Sequence, residues 1–486
     1  MTQVAIRVDA GVHLGSGHVM RCLTLADALR ERGGEIRFIC RRQSGHLGEV
    51  IAARGYAVDW LPEEIGDTED ARLSRKILEQ GVDWLVVDHY GLDATWEREL
   101  APVSGRIMAI DDLADRQHAC QVLLDQNWFA DPVSRYAGLL PDDCRALYGP
   151  EYALLRPTFV ELARRRPDRG RPVRRVLVFL GGGDPDNLTW RVLAVLGHYS
   201  ELSVDVVAGH AHPARVSLEQ WCAERPGAKL HAAGEGFHIL LAEADIAIGA
   251  GGTTTWERSC LGLPSMVLGI ADNQYRVAEA VAEYGAHLYL GPAGKVTDRQ
   301  LAAALETLLA QPGLRRHLAE RGRALVDGWG ATRLADLMLP QPGLALRPAA
   351  AEDADLIYQW RNAFATRRYF FDPRLLDADG HADWYARLLA DPDRILLIGL
   401  DGDRPVGAIR YDIQGEAADI SVFLDPEVRG RGYGVRLIRA GSDWLAASRP
   451  SLRRLDAHIH PDNRASLVAF SAAGFVERDR HYQGTL

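Results

Sequence analysis

Gly249-Ala250-Gly251-Gly252-Thr253-Thr254-Thr255-Trp256-Glu257 stands between the short apolar run Ile246–Ile248 and the punctuation Gly262-Leu263-Pro264. The branched run reads as a buried strand, and the glycines and threonines after it read as a turn opening a helix. In open α/β sheets this strand–turn–helix step is where ligands bind, because amides and hydroxyls collect at the strand's C-terminal end. Gly252, Thr253, Thr254 and Thr255 are expected to hold a diphosphate. Glu257, one turn into the helix, is expected to accept hydrogen bonds from a ribose. Asp272-Asn273-Gln274 follows the next strand, Met266–Leu268, and adds polar groups at the same sheet end.

The same step recurs on the N-terminal side. Val176–Leu180 runs into Gly181-Gly182-Gly183-Asp184-Pro185-Asp186-Asn187, which is expected to offer amides and a helix N-terminus to an anion. Val4–Val8 runs into Asp9-Ala10-Gly11-Val12-His13-Leu14-Gly15-Ser16-Gly17-His18-Val19-Met20-Arg21-Cys22. Cys22, Leu25, Ala26 and Leu29 follow a helical period, and Gly33-Gly34 stop it. His18 falls in the first turn of that helix. The positive end of the helix dipole disfavours imidazolium there, so His18 is expected to stay neutral and able to take a proton from water. Ile36–Cys40, Trp84–Val87, Ile107–Ile110 and Val122–Leu124 are further branched runs, and strand–helix alternation of this kind implies parallel sheets covered on both faces.

At 486 residues the chain is too long for one core. The basic, Pro-containing stretch 164–172 reads as a solvated connector, and Leu339-Pro340-Gln341-Pro342-Gly343 as a second one. Three modules result, at 1–163, 172–338 and 344–486. The last has no Cys and no Lys, and carries Arg429-Gly430-Arg431-Gly432-Tyr433-Gly434 between a strand-like run, Ile420–Leu424, and a helix over 435–447. An R-x-x-G-x-G loop in that setting is a pyrophosphate cradle of successive amides.

A net charge of −10 argues against a nucleic-acid partner. No run of apolar residues is long enough to span a membrane, and Arg7 and Asp9 interrupt the first one, so neither a signal peptide nor a membrane partner is expected. The six cysteines contain no C-x-x-C pair, which fits reduced thiols and a cytoplasmic location. His210-x-His212 and His458-x-His460 lack the further ligands of a metal site, so no metal is expected. Asp111-Asp112, at a strand end, suits a site acid or a cap. Oligomeric state is not legible.

Residues 1–338 resemble the UDP-2,4-diacetamido-2,4,6-trideoxy-β-L-altropyranose hydrolases of pseudaminic acid biosynthesis, two-Rossmann (GT-B type) relatives of the glycosyltransferase that makes lipid II. The strings carrying the likeness are G-S-G-H-V-M-R-C from Gly15, V-V-D-H-Y-G-L-D from Val86, G-G-G-D-P-D-N from Gly181, G-A-G-G-T-T-T-W-E-R from Gly249 and A-D-N-Q from Ala271. The resemblance implies that His18 activates water and that Tyr90 contacts the sugar or the water. It implies attack opposite the leaving group, with inversion at C1 and release of UDP. It places Gly15, Gly17, Arg21, Gly182, Gly183, Gly252, Thr253, Thr254, Thr255, Glu257, Asn273 and Gln274 on the UDP-sugar.

Residues 344–486 resemble GNAT N-acetyltransferases through Leu346-Arg347-Pro348, Trp360-Arg361-Asn362, the Arg429–Gly434 loop and Asn463-Arg464-Ala465-Ser466 leading to Gly474-Phe475. The resemblance implies acetyl-CoA as acyl donor, held by Phe423, Leu424, Arg429, Gly430, Arg431, Gly432, Tyr433, Gly434 and Asn463. Phe470 stands where the family usually has a general-acid Tyr. Tyr433, Tyr411 or water is expected to supply the proton, unless the module only binds. The expected fold is therefore α/β, with two Rossmann-like lobes (GT-B type) followed by a mixed α/β GNAT domain. The expected protein is a bifunctional UDP-sugar hydrolase and N-acetyltransferase of pseudaminic acid-type biosynthesis. The rival is a glycosyltransferase carrying a non-catalytic GNAT module.

Overall fold

A computed structural model of the chain describes residues 1–11, 16–163, 167–209, 212–232, 234, 236–339, 343–369, 374–429, 432–460 and 463–475. The chain forms two compact units, Met1–Pro340 and Gln341–Leu486.

The first unit holds two parallel sheets. One contains β1 (Gln3–Val8), β2 (Glu35–Arg41), β3 (Ala57–Leu61), β4 (Val82–Asp88), β5 (Ser104–Ile110), β6 (Val122–Asp125) and β7 (Arg145–Tyr148) in the order β3-β2-β1-β4-β5-β6-β7. The other contains β8 (Arg175–Phe179), β9 (Ser203–Ala208), β10 (Ala228–Ala232), β11 (Ile246–Ala250), β12 (Ser265–Gly269) and β13 (Leu288–Pro292) in the order β10-β9-β8-β11-β12-β13. Helices cover both faces of each sheet, so the central strands are apolar nearly throughout: Val4, Ala5, Ile6 and Val8 of β1 are fully buried, as is Ile246 of β11. Strand order reverses between β1 and β4 and between β8 and β11. At such a reversal the helices diverge to opposite faces and leave a crevice at the strands' C-terminal ends.

The lobes are also tied by chain return. The helix Gly330–Met338 leaves the second lobe and packs Ala331, Leu334, Ala335 and Met338 into the core of the first. Trp84 Nε1 donates to Met338 O at 3.0 Å. The connector expected to be solvated is anchored instead. Arg169 is buried and donates to the carbonyls of Ala244 (2.6 Å) and Gly262 (2.9 Å), while Arg315 donates back to Arg169 O. Its neighbours Arg164–Arg166 lie outside the described residues. Cys120 and Cys144, read as scattered thiols, come to 3.8 Å between sulfurs.

The second unit is a mixed sheet, β14 (Ala345–Pro348), β15 (Arg394–Asp401), β16 (Arg404–Gln414), β17 (Ala417–Leu424) and β18 (Arg454–Asp456), in chain order. All neighbours are antiparallel except β17 and β18. Residues alternate across β16: Ile409 and Tyr411 join the core under the helix Tyr433–Ser448, and Ala408 joins the core under Ala354–Asn362 and Ala378–Ala390. Among the described residues no helix is long and apolar enough to cross a membrane.

Candidate active sites

In the first unit, β4 ends on Asp88, which is buried and faces the first turn of the helix Gly17–Arg30. Its Oδ1 lies 2.6 Å from His18 Nδ1 and 2.5 Å from Arg21 Nη2, and its Oδ2 accepts from Arg21 Nε at 2.6 Å and from Cys22 Sγ at 3.4 Å. Burial alone would raise the Asp88 carboxyl, but Arg21 and His18 hold it well below the usual carboxylate range. An ionised Asp88 accepts the Nδ1 proton of His18 and leaves Nε2 as the basic nitrogen. The helix dipole, invoked for the charge of His18, says nothing of its tautomer; the Asp88 carboxylate fixes that.

Tyr90 stands edge-on to His18, with ring centroids 4.6 Å apart. Its hydroxyl accepts from Asn273 Nδ2, on the other lobe, at 3.2 Å. Burial, then the charge of Asp112, pushes the Tyr90 hydroxyl up, so it stays protonated. The lobes also meet at Gly17, where an added Cβ would lie 3.5 Å from Thr253 Cγ2. Gln274 packs over Gly251 and lies beside Gly252. His18, Tyr90, Gly17, Gly252, Thr253, Asn273 and Gln274 therefore line one crevice.

Other expected contacts turn inward. Arg21, placed on the UDP-sugar by resemblance, is buried, and its guanidinium is taken up by Asp88 and by Asp112 Oδ2 at 3.3 Å. Thr254 and Thr255 accept from Arg258, at 2.9 and 3.1 Å, and Thr255 is buried. Asp184 receives the amides of Leu188 and Thr189, so the helix end after Gly182 and Gly183 is already occupied by a carboxylate rather than open to a ligand anion. No described atom lies within 4 Å of a Cβ added at Gly182 or Gly183, and the Gly182 carbonyl accepts from Gly209 N at 2.9 Å. His212 is buried against Asp184. Asp111 accepts from the amides of Leu113 and Ala114 and from Arg116, which ties it into the turn after β5. Gly15 and His210 lie outside the described residues.

Glu257 is half-buried, and burial pushes its carboxyl up to about 7 against the charges of Arg156 and Arg258. A carboxyl in that condition suits hydroxyl donors from a ligand. Asp88 escaped sequence reading as a functional residue. The signal available was its place at the end of an apolar strand, directly before His89-Tyr90.

In the second unit the β17–β18 ladder runs only from Ala417↔Arg454 to Asp419↔Asp456. Beyond it the two strands part, and Ile420–Leu424, with Phe423 and Leu424, keeps its partner only on the β16 side. Gly432, at φ +79°, caps the helix Tyr433–Ser448 in a conformation that costs any other residue about 1–2 kcal/mol. A fork beside a glycine-capped helix start fits a linear thioester whose pyrophosphate meets the helix amides. Gly430 and Arg431 lie outside the described residues. Arg429 donates to Thr366 Oγ1. Gly434 lets the helix approach Ala469 and Leu424, and Asn463 Oδ1 caps the helix Arg464–Ala472 through Ser466 N, so both carry packing or capping duties. Of the two tyrosines considered as proton donors in place of a tyrosine at 470, one is buried and the other is hydrogen-bonded. Tyr411 is fully buried in the core, and the Tyr433 hydroxyl donates to Asp401 at 2.5 Å. Phe470 packs edge-on against Phe475. Among the described residues no group of three or more His, Cys, Asp or Glu side chains is placed to hold a metal ion.

Comparison with known proteins separates the same two units. Residues 344–476 match the family model described as an acetyltransferase (GNAT) domain. An uncharacterized N-acetyltransferase of Bacillus subtilis is 31% identical over 124 residues, 26% of this chain and 79% of that protein. A spore coat polysaccharide biosynthesis protein of Bacillus subtilis is 27% identical over 339 residues, 69% of this chain and 97% of that protein. A UDP-2,4-diacetamido-2,4,6-trideoxy-β-L-altropyranose hydrolase of Campylobacter jejuni is 28% identical over 203 residues, 42% of this chain and 68% of the hydrolase. The solved structure of MurG from Acinetobacter baumannii superposes with a TM-score of 0.52 at 15% identity, covering 70% of this chain and 100% of MurG. The two parallel-sheet lobes are of the GT-B, MurG-like type, and the mixed sheet is a GNAT domain.

Proposed function

Because the chain belongs, through residues 344–476, to the GNAT acetyltransferases, we propose that it carries out two steps on one cytoplasmic nucleotide sugar of pseudaminic acid-type biosynthesis. The second unit N-acetylates a UDP-4-amino-sugar, and the first hydrolyses the UDP-2,4-diacetamido-2,4,6-trideoxy-hexose to the free sugar and UDP. The observation that carries the hydrolytic half is the Asp88–His18 pair facing the Tyr90–Asn273 bridge across the crevice. The likeness to the Campylobacter hydrolase supports the choice of substrate.

In this mechanism Asp88 holds Nδ1–H, and His18 Nε2 takes a proton from a water on the face of C1 opposite the UDP. The water oxygen forms the new bond to C1, the C1–O bond to the diphosphate breaks, and UDP leaves with that electron pair, inverting C1. The imidazolium so formed lies on the Asp88 carboxylate, which offsets its charge. Tyr90 and Asn273 orient the sugar from opposite lobes, Gly252 and Thr253 present amide and hydroxyl donors to the diphosphate, and Glu257 accepts from the ribose. In the second unit acetyl-CoA supplies the acetyl group. The backbone of Phe423 and Leu424 lines its fork, and the helix start at Gly432–Gly434 faces its pyrophosphate.

His18→Ala is the test. UDP release from the diacetamido substrate is expected to fall to background while CoA release from acetyl-CoA and the amino-sugar persists. Retained hydrolysis would remove His18 from its role. Release of UDP only when a sugar or lipid acceptor is added would replace hydrolysis by glycosyl transfer.

A further inference from the structure

Asp112, beside Tyr90, has a buried oxygen that no described residue satisfies. Val87 of β4 pairs with Ala109 of β5, so Tyr90 and Asp112, three residues further along each chain, leave the sheet side by side. Asp112 Oδ2 lies 3.3 Å from Arg21 Nη1, at the long end for a charge-assisted contact. Asp112 Oδ1 is buried and receives no hydrogen bond from the described residues. A buried, unfilled acceptor is costly, and native proteins keep few of them. Proximity to Tyr90 is also felt electrostatically, since Asp112 follows burial as the next cause raising the Tyr90 hydroxyl.

The surroundings decide what kind of group fits. Arg21 is shared between two carboxylates, Asp88 and Asp112. The pocket floor is therefore rich in acceptors and repels a phosphate. It favours a neutral group that donates a hydrogen, and it does so next to Tyr90, which reaches toward Asn273 across the crevice. We propose that Asp112 Oδ1 accepts a hydrogen bond from an acetamido N–H of the bound sugar and thereby sets a preference for N-acylated over O-acylated sugars. This rests on the UDP-sugar reading of the crevice. No bond is made or broken by Asp112; it is a specificity residue, distinct from the base.

The test crosses substrate against side chain. The substrates are the UDP-2,4-diacetamido sugar and two analogues in which each acetamido group in turn is an O-acetyl ester, isosteric but without the donor. The proteins are the full chain and Asp112→Asn, which keeps the shape; Arg21 retains the amide oxygen, so an amide NH2 replaces Oδ1. Wild type should lose about 10- to 100-fold in kcat/KM on one of the two esters, the worth of one charge-assisted bond. In Asp112→Asn that ratio should collapse toward 1, with affinity for UDP alone within twofold of wild type. Equal use of both esters by wild type, or an unchanged ratio in Asp112→Asn, overturns the proposal. Dissociation constants for the same panel decide the matter where no UDP is released, so loss of hydrolysis alone is told apart from failure at Asp112. If none of the three sugars binds more tightly than UDP, the UDP-sugar reading falls, and this proposal with it.

Discussion

Asp88→Asn is the most demanding perturbation of the first unit, because one carboxylate serves both the base and the buried cation. Its two oxygens meet His18 Nδ1, Arg21 Nη2, Arg21 Nε and Cys22 Sγ. An asparagine offers one oxygen in place of two. If the oxygen stays toward His18, the new NH2 meets the N–H of Arg21 Nε, donor against donor. If the amide flips, NH2 meets His18 Nδ1 and drives the proton to Nε2, which then cannot accept from water. Either way a buried guanidinium loses its main counter-charge. Breaking a buried pair costs about 3–5 kcal/mol, and the lower end applies because Asp112 stays beside Arg21. The general-base contribution lost is about 10²–10⁴ in kcat. The assay is UDP release, with CoA release by the same preparation as an internal control and urea unfolding for stability. A variant with kcat within threefold of wild type and an unchanged urea midpoint would refute the role given to Asp88.

Three further outcomes follow from single groups. His118 lies between Glu97 Oε1 (2.8 Å) and Asp111 (3.7 Å), and although burial lowers its pKa, those carboxylates raise it to about 9. A raised His contributes stability that is fully present below about pH 6.5 and lost as pH rises through about 9, up to roughly 3 kcal/mol; His118→Asn should flatten the urea midpoint over that range. Glu257, pushed up to about 7 by burial, accepts ribose hydroxyls better when ionised, so UDP affinity measured by calorimetry should rise between pH 6 and 8, and Glu257→Gln should remove the rise. Gly432→Val places a branched residue at φ +79°, and should cost about 1–2 kcal/mol and weaken acetyl-CoA binding without changing UDP affinity.

Much of the fold was legible because its signals are local. Runs such as Val4–Val8 and Ile246–Ile248 are apolar on both faces, as strands covered on both sides must be, and each ends in glycine-rich punctuation. His18 drew notice through its residue type at a helix start, and Tyr90 through the resemblance alone. Asp88 did not, since its partners His18 and Arg21 stand about seventy positions away and meet it only after β1 and β4 pair. Packing within the glycine run was hidden for a related reason. A Cβ at Gly249 would lie 2.8 Å from Arg258 Nη1, and at Gly251 3.3 Å from Gln274 Cβ, so part of that run admits neighbours rather than ligand. Arg258 in turn draws Thr254 and Thr255 inward. Nothing in the sequence of Arg169 distinguishes a buried anchor from a solvated arginine, because its acceptors are main-chain carbonyls of distant residues.

The acidity of the chain and the anionic character of its proposed ligands are reconciled by where the cations go. Arg7 is buried between Asp9 and Asp70, Arg21 between Asp88 and Asp112, and Arg258 against the Ala250 carbonyl and two hydroxyls. None of the three is turned toward a ligand. On the first lobe these pairs leave carboxylates in excess around His18, which suits a neutral sugar and a basic imidazole and disfavours a diphosphate. On the second lobe Gly252, Thr253, Asn273 and Gln274 are neutral, and Asn273 and Gln274 stand at the start of the helix Asp272–Tyr284. Under the proposed function, this charge pattern suits a sugar beside the first lobe and a diphosphate beside the second. A crevice organised in this way discharges UDP onto dipoles rather than onto surface cations, so its substrate affinity should depend only weakly on salt.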